Sequence, residues 1–385
     1  MPTADAQLLR DIAELIRLPS ISSFVPDWDM SNRPVIDHLA ERLESRGFRI
    51  EIQALPGQPG KTNLVATLGR GEGGLVLSGH TDTVPYDDGK WSSDPFVVSE
   101  RDGRLYGLGT ADMKSFFALV LAAIDGLTPA DLTAPLTVLA TADEETSMAG
   151  ARALVATGGL TARHAIIGEP TDLRPVRLHK GILMERIRVA GRSGHSGDPG
   201  QGSSALEGMH HVIHALLAWR QELQQAQRDP SFPVPVTTMN LGRIAGGDNP
   251  NRICGACELD LDVRMLPGMS VAELRTELRR RVDETLAGTD LRGSFEILFD
   301  GIDPLETPAD AEVVQLAERL TGAESSGVVY GTEGPFLQQM GMDVVILGPG
   351  SIDQAHQPDE FLRVDGLRRG VGILRNMIRH FCIRA

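Results

Sequence analysis

Apolar residues recur with two different spacings in the first 180 residues, and these spacings predict helices and strands in alternation. Leu8, Ile12 and Leu15 lie three or four residues apart, which is typical of one face of a helix. Short continuous apolar runs are typical of buried strands. The predicted helices are 6–17, 33–46, 115–124 and 149–157, and the predicted strands are 48–53, 63–68, 74–78, 135–141 and a run that begins at 164. This alternation predicts an α/β domain with an open sheet.

The pattern changes after residue 180. Elements there follow the order strand, helix, strand, strand, helix, strand, which is the split βαβ or ferredoxin-like arrangement. The predicted elements are 182–189, 203–225, 236–244, 253–264, 270–287 and 294–298. Helix–strand alternation then returns, at 311–320, 328–330, 343–347 and 364–380. We therefore predict a discontinuous domain over residues 1–179 and 300–385, with residues 180–299 inserted as an α+β domain.

Length, composition and charge agree with two globular domains and exclude several partners. The chain has 385 residues, 41% of them hydrophobic, and a formal net charge of −15. So acidic a chain argues against nucleic acid or an anionic membrane as a partner. No apolar run approaches the ~20 residues of a membrane-spanning helix. The first residues lack the basic and apolar segments of a secretory signal, and three cysteines indicate no disulfide framework, so we expect a cytoplasmic protein.

Polar residues follow the predicted strands at the points where those strands end. His80 and Asp82 lie two residues apart after the strand 74–78, so their side chains point to the same side. A carboxylate at that spacing can orient an imidazole whose other nitrogen binds a metal. The alternative is a polar turn. Asp112 lies just before the helix 115–124, where it could serve as a helix cap or as a metal-bridging group.

Further acids and a second histidine come later in the chain. Asp143, Glu144 and Glu145 follow the strand 135–141, and Glu169 ends the next strand. Neighbouring residues of an extended chain point in different directions, so Glu144 and Glu145 are expected to have different roles. The alternative is a solvated acidic turn. His356 lies in a Gly- and Pro-rich loop after the strand 343–347, where a lone histidine is usually a surface residue. Because open α/β sheets place their sites at the carboxyl edge, we expect these side chains to meet there.

Five longer motifs contain these residues. They are 79–85 (GHTDTVP), 105–114 (LYGLGTADMK), 140–152 (ATADEETSMAGAR), 166–171 (IIGEPT) and 348–360 (GPGSIDQAHQPDE). In these motifs, and over essentially its whole length, the chain resembles the family of co-catalytic zinc amidohydrolases and peptidases. The resemblance implies a mixed-sheet catalytic domain with helices on both faces and an inserted ferredoxin-like lid that also forms a dimer interface.

The resemblance also implies a site for two divalent metal ions per subunit, with zinc expected and cobalt possible. Asp112 would bridge the ions, Asp82 would orient a metal-binding histidine, and Glu144 would act as the general base. The implied metal ligands are His80, Asp112, Glu145, Glu169 and His356. Two dications against three ligand carboxylates would leave a charge of +1, which a hydroxide would neutralise.

Residues of the predicted inserted domain would complete the site. His195, in the segment 192–197 (RSGHSG), would donate to the oxyanion, and in dimeric members of the family this group comes from the neighbouring subunit. Gly197 stands where serine is common in the family. The implied substrate-binding residues are Asn251, Arg252, Arg264, Thr332 and Gly350. The alternatives are a surface-loop histidine at 195 and a plain cross-strand ion pair at Arg264.

The implied reaction is hydrolysis of an amide bond in an N-acyl amino acid by a homodimer. N2-acetylornithine, which would give ornithine and acetate, is the expected substrate, and N-succinyl-diaminopimelate or another acyl amino acid is the alternative within the same chemistry. An inactive relative that only binds a ligand is the alternative from a different class. Loss of a metal ligand or of the base would favour it, and all of these residues are present.

Overall fold

The computed structural model describes residues 4–87 and 89–383, and contacts divide them into two compact units. The first unit comprises the described residues up to 177 together with 307–325 and 333–383, and the second comprises 178–306 and 326–332. Residues 178–179, 300–306 and 326–332 therefore belong to the second unit, although the sequence assigned them to the first domain. Residues 1–3, 88 and 384–385 of the predicted first domain lie outside the described residues.

All the helices of the described residues except Gly334–Gln339, which was not predicted, lie close to the predicted positions. They are α1 (Ala4–Ile16), α2 (Arg33–Glu44), α3 (Lys114–Ala123), α4 (Ala149–Thr157), α5 (Ala205–Ala226), α6 (Val271–Leu286), α7 (Glu312–Thr321), α8 (Gly334–Gln339) and α9 (Leu367–Cys382). Within the described part of the chain, none of them is both long and apolar enough to span a membrane.

The strands include several short ones that the sequence did not predict. They are β1 (Arg49–Ala54), β2 (Thr62–Leu68), β3 (Leu75–His80), β4 (Ser99–Arg101), β5 (Arg104–Tyr106), β6 (Leu136–Thr141), β7 (His164–Pro170), β8 (Val176–His179), β9 (Gly181–Ala190), β10 (Thr238–Gly246), β11 (Ala256–Met265), β12 (Arg292–Ile302), β13 (Leu305–Glu306), β14 (Ser326–Val328), β15 (Asp343–Gly348) and β16 (Phe361–Arg363).

The first unit is built around a mixed sheet, which confirms the predicted fold class. Its strands run in the order β1-β2-β6-β3-β7-β15, with β6, β3, β7 and β15 parallel and β1 and β2 antiparallel. Every residue of β3, β6 and β7 is buried, because helices cover both faces of the sheet. Leu75 and Leu77 pack into a core with α1, α2, α3, α7 and α9, whereas Val76 faces the other side, by strand alternation.

The second unit has the predicted β-α-β-β-α-β order. Its strands form an antiparallel sheet in the order β10-β11-β9-β12. In β11, Cys257, Leu259, Leu261 and Val263 alternate with partly exposed residues, and this apolar face packs against the buried sides of α5 and α6. Strict alternation of apolar and polar residues is typical of a strand in a sheet with one covered face.

A small three-stranded sheet in the first unit was not predicted. β16 pairs with β5, and β5 pairs with β4, so that Leu362 lies opposite Leu105. Strands of three residues are too short to leave a recognisable pattern in the sequence. The sheet has a structural consequence, because it joins the segment after His356 to the segment before Asp112.

Candidate metal centre

The predicted ligands converge at one edge of the sheet in the first unit. β3 ends at His80, β6 ends just before the acidic turn 142–145, β7 carries Glu169 near its end, and β15 precedes the loop of His356. These four strands are parallel, so their carboxyl ends share an edge. The structure brings together the side chains of His80, Asp112, Glu144, Glu145, Glu169 and His356.

Asp112 lies between the two histidines. Its Oδ1 is 3.0 Å from Nε2 of His80, and its Oδ2 is 3.5 Å from Nε2 of His356. On the two sides of this carboxylate, Nε2 of His80 is 3.8 Å from Glu169 and Nε2 of His356 is 3.1 Å from Glu145. Each carboxylate oxygen of Asp112 therefore faces a different imidazole, which is the arrangement required of a bridging group.

Two overlapping groups of donor atoms could each hold a metal ion. In one, atoms of His80, Glu144 and Glu169 lie within 4.8 Å of one another, and in the other, atoms of His80, Asp112 and Glu145 do so. Imidazole nitrogen and carboxylate oxygen are donors that suit zinc, and cobalt or manganese is compatible with the same set. The residues present therefore fit a site for divalent ions.

The electrostatics of the cluster are those of an anionic site. Burial raises the pKa values of Glu144, Glu145 and Glu169, and repulsion among the neighbouring carboxylates adds to the rise. The contacts of His356 with Asp112 and Glu145 raise its pKa to about 11. Burial opposes protonation of His80, but the hydrogen bond to Asp112 and the nearby acids outweigh it and raise its pKa. So many acids close together favour binding of a cation.

The carboxylate of Asp82 is not the nearest acceptor to His80. Nδ1 of His80 lies 3.0 Å from the main-chain oxygen of Asp82 and 3.8 Å from its carboxylate Oδ1. That Oδ1 has no hydrogen-bond partner among the described residues, whereas Oδ2 accepts from the backbone N–H of Glu145 at 3.1 Å. The carbonyl group is thus placed to fix the ring, and the carboxylate holds the acidic turn.

Asp112 does not cap the helix that follows it. α3 begins at Lys114 after Met113, and no side-chain capping hydrogen bond is formed there. The loop before α3 is instead held by Glu360, which is buried and accepts from the backbone N–H groups of Gly109, Ala111 and Asp112 at 3.1, 2.7 and 3.0 Å. Glu360 was not predicted as a functional residue. The one feature of the sequence that could have indicated a role for Glu360 is its position at the end of the motif 348–360.

Two other charged residues that the sequence analysis missed lie next to the cluster. Glu333 is buried and accepts from the hydroxyl groups of Ser78 and Thr141, so it joins the ends of β3 and β6. Lys61 is buried and makes ion pairs of 2.7 Å with Asp29 and with Asp143, the first acid of the turn. No local pattern marks either residue, because their partners lie far away in the chain.

The predicted oxyanion donor and two predicted substrate-binding residues lie together in the second unit. His195 is exposed, its Nδ1 accepts from the N–H of Gly197 at 3.0 Å, and it forms a backbone bridge with Arg252. The main-chain oxygen of Asn251 accepts from Ser196 at 3.1 Å. These contacts bring three exposed residues together along the backbone, and the guanidinium group of Arg252 pairs with Asp248.

The remaining predicted substrate-binding residues have other partners. Arg264 pairs with Asp262 on its own strand at 2.9 Å, so the cross-strand ion pair that was considered for it is not what is seen. Thr332 is buried in the second unit, where its N–H donates to Nε2 of His179 at 3.3 Å. Gly350 lies in the first unit with φ +83°, and a Cβ there would come within 3.2 Å of Ala111.

Sequence and structure comparisons place the chain among known hydrolases. Residues 76–380 match the profile of Peptidase family M20/M25/M40. The acetylornithine deacetylase of Pasteurella multocida is 47% identical over 374 residues, covering 97% of this chain and 98% of that protein. The acetylornithine deacetylase of Edwardsiella ictaluri is 49% identical over 370 residues, covering 96% of each.

Solved structures show the same fold at low sequence identity. A tripeptidase from Staphylococcus aureus is 20% identical, with a TM-score of 0.75 and 98% of each chain covered. A metallo-carboxypeptidase from Sulfolobus solfataricus is 17% identical, with a TM-score of 0.73, and the match covers 97% of this chain and 99% of that one.

Proposed function

The chain belongs to Peptidase family M20/M25/M40, and we propose that it is a metal-dependent amide hydrolase that deacetylates N2-acetylornithine. The observation that carries this proposal is the convergence of two imidazoles and four carboxylates at one sheet edge, in a chain nearly half identical to acetylornithine deacetylases over almost its whole length. The products would be ornithine and acetate.

We propose two divalent metal ions, zinc by preference, at this edge. His80 and Glu169 would hold one ion, Glu145 and His356 the other, and Asp112 would contact both. Each carboxylate oxygen of Asp112 faces a different histidine, and this supports the division of the ligands between two ions. Divalent ions in such a site make water more acidic and polarise a carbonyl group.

Glu144 is the proposed general base. It lies in the cluster with His80 and Glu169, yet the proposed ligand set does not use it. Its carboxylate would take the proton of the attacking water and then deliver it to the nitrogen of the departing ornithine. Positioned proton transfer of this kind contributes about 10²–10⁴-fold to a rate.

The second unit is proposed to contribute substrate contacts. His195 would donate to the oxyanion, and Asn251 and Arg252 would bind the substrate carboxylate, for which amide and guanidinium donors are suited. A cleft of about 750 Å³ in the second unit is lined by Ser196 and Arg252, and His195 and Asn251 are their neighbours in the chain. Arg264, Thr332 and Gly350 are the further proposed contacts. We propose that the protein works as a homodimer in which His195 acts on the partner's site.

The test uses the zinc-loaded protein with N2-acetylornithine, N-succinyl-diaminopimelate and other N-acyl amino acids. Glu144→Gln removes the proton acceptor but preserves side-chain size. We expect it to keep the metal content of the wild type and to lose about 10²–10⁴-fold in kcat. The exposed Glu72→Gln serves as the control and is expected to retain full activity.

Each contrary result has a distinct meaning. Near-normal turnover by Glu144→Gln would contradict its role as the base. Faster cleavage of N-succinyl-diaminopimelate than of N2-acetylornithine would contradict the proposed substrate while keeping the chemistry. Binding of N2-acetylornithine without turnover of any acyl amino acid by the zinc-loaded wild type would indicate an inactive relative.

A further inference from the structure

A second group of metal-ligating side chains lies at the opposite edge of the sheet in the first unit. His164 opens β7 and Asp343 opens β15, and the two residues are partners in the parallel register. Glu312 opens α7, and His380 lies in the last turn of α9. The candidate metal centre occupies the carboxyl edge of these strands, so this group at their amino ends is separate from it.

The four side chains form a row in which each faces the next. Nε2 of His380 lies 2.8 Å from Oε1 of Glu312, and Nε2 of His164 lies 3.8 Å from Oε2 of the same carboxylate. Nδ1 of His164 faces Oδ2 of Asp343 at 3.9 Å. The ring of Phe381 packs against both imidazoles, with centroid distances of 4.3 Å to His164 and 4.8 Å to His380.

His164 does not resemble a histidine that is satisfied within a core. Its side chain is only 4% exposed, and its Nδ1 has no hydrogen-bond partner within the described ranges. Buried polar atoms are nearly always hydrogen-bonded, so an unpartnered ring nitrogen calls for an explanation. Burial lowers the pKa of His164, which favours the neutral imidazole, and neutral imidazole is the form that binds metals.

We propose that His164, Glu312 and His380 bind one divalent transition-metal ion, and that Asp343 orients the ring of His164. Metal-binding histidines usually donate their second N–H to a carboxylate, and Nδ1 facing Asp343 reproduces that arrangement. A small rotation of the Asp343 side chain, which is half exposed, would close the 3.9 Å gap.

The carboxylate of Glu312 lies between the two imidazoles. Three donors at about 2.0–2.2 Å from a tetrahedral zinc ion lie about 3.3–3.6 Å from each other. Nε2 of His380 lies 2.8 Å from Oε1 of Glu312 and Nε2 of His164 lies 3.8 Å from Oε2, so each imidazole faces a different oxygen of this carboxylate. Glu312 and Asp343 supply two negative charges, which one dication balances, while Arg163 adds an opposing positive charge nearby.

The donor types define the class of ion. Imidazole donors favour zinc, cobalt, nickel or copper over magnesium and calcium, which take oxygen ligands. Glu312 is 54% exposed and His380 is 39% exposed, so an ion can enter from solvent. Bound there, it would tie the start of α7 to the end of α9 and to β7, and it would stabilise the first unit without taking part in the reaction.

The test counts zinc ions in the full-length, zinc-equilibrated protein after gel filtration and measures zinc affinity by calorimetry. The variants are His380→Gln and Glu312→Gln, which alter exposed residues and leave the core intact. His210→Gln, which alters an exposed histidine on α5, is the control. We expect both variants to bind one zinc ion fewer per chain than the wild type and the control, with unchanged amide hydrolysis.

Asp343→Asn separates a metal site from a simple ion pair. An orienting carboxylate contributes about 10–100-fold to metal affinity, so we expect this variant to bind zinc at the same stoichiometry but 10–100-fold more weakly at this site. Equal zinc content and affinity in the wild type, His380→Gln and Glu312→Gln would overturn the proposal. So would an equal loss of zinc in His210→Gln.

Discussion

Lys61 holds the first acid of the turn that carries Glu144 and Glu145, and we predict that Lys61→Met both destabilises the protein and loosens the site. The Lys61 ammonium group lies 2.7 Å from Asp143 and 2.7 Å from Asp29, and its side chain is only 4% exposed. Asp143 has left-handed backbone geometry, with φ +56°, and its main-chain oxygen accepts two N–H groups of the turn. The shape of the turn therefore depends on where this residue is anchored.

The contacts of Lys61 determine how much unfolding free energy we expect Lys61→Met to lose. Methionine keeps most of the apolar stem of lysine, so packing changes little, but Asp143 is left buried without its cation. Removing one partner of a buried ion pair costs about 3–5 kcal/mol. Because the hydroxyl group of Ser22 still donates to Asp143 at 3.0 Å, we expect the lower end, about 3 kcal/mol. Adding Asp143→Asn to Lys61→Met removes the unpaired charge and should restore part of this loss.

The pH dependence follows from the pKa of Lys61. Burial lowers this pKa, but the hydrogen bonds to Asp143 and Asp29 outweigh burial, and the net shift is upward. A group with a raised folded-state pKa stabilises the fold fully below its unfolded pKa and loses that contribution as the pH rises through the folded value. The stability difference between wild type and Lys61→Met should therefore be constant between about pH 6 and 9 and shrink only in strong alkali.

The assay is urea unfolding of the zinc-loaded protein, followed by tryptophan fluorescence, with zinc content and kcat measured on the same samples. Lys90→Met is the matched control, since Lys90 pairs with Asp87 at 3.0 Å but is 66% exposed. Such a surface pair contributes less than about 1 kcal/mol. If Lys61→Met and Lys90→Met shifted the unfolding midpoint equally, the buried pair would not be holding the turn.

Three further changes test other parts of the first unit. Glu360→Ala leaves three backbone N–H groups of the 109–112 loop without an acceptor, and we expect about 10–100-fold weaker zinc binding by calorimetry. His356→Ala should remove one of the two zinc ions proposed for the candidate metal centre, so unchanged metal content in elemental analysis would contradict its role. Gly168→Ala would place a Cβ 2.0 Å from the buried ring of Phe116, and we expect a loss of about 1–3 kcal/mol in thermal unfolding. Gly372→Ala, where the added Cβ meets nothing within 4 Å, is its control.

The sequence predicted the long elements well because burial leaves a pattern in each of them. β3 and β6 are continuous apolar runs buried on both faces, and β11 alternates because one face is covered. Where the pattern was weak, the prediction was inaccurate. The strand expected at 328–330 lies at Ser326–Val328, and β12 extends beyond the predicted 294–298 to Arg292–Ile302, with register irregularities that obscure its alternation. α8 has six residues, too few for a helical pattern.

The candidate site was predicted to the extent that its residues follow strands. His80 and Glu169 could be placed at one edge because parallel strands end together. Residues that hold the site through distant contacts could not be predicted in the same way. Ser78 and Glu333 lie 255 positions apart, and no spacing rule relates them. Nor could a sequence pattern reveal that Nδ1 of His80 lies nearest to a main-chain oxygen of Asp82.

These missed residues explain how the acids can be held together at all. Four carboxylates within a few ångströms repel one another, so a flexible edge would spread them apart. Three buried charged groups oppose this movement: Glu360 holds the loop of Asp112, Lys61 holds the acidic turn, and Glu333 joins β3 to β6. The fold therefore holds the carboxylates together against their mutual repulsion. A cation that binds in the cluster reduces this repulsion, and the ligands do not have to move into place first. Because the ligands are already ordered, ion binding does not have to offset the free-energy cost of ordering them, and the affinity is higher.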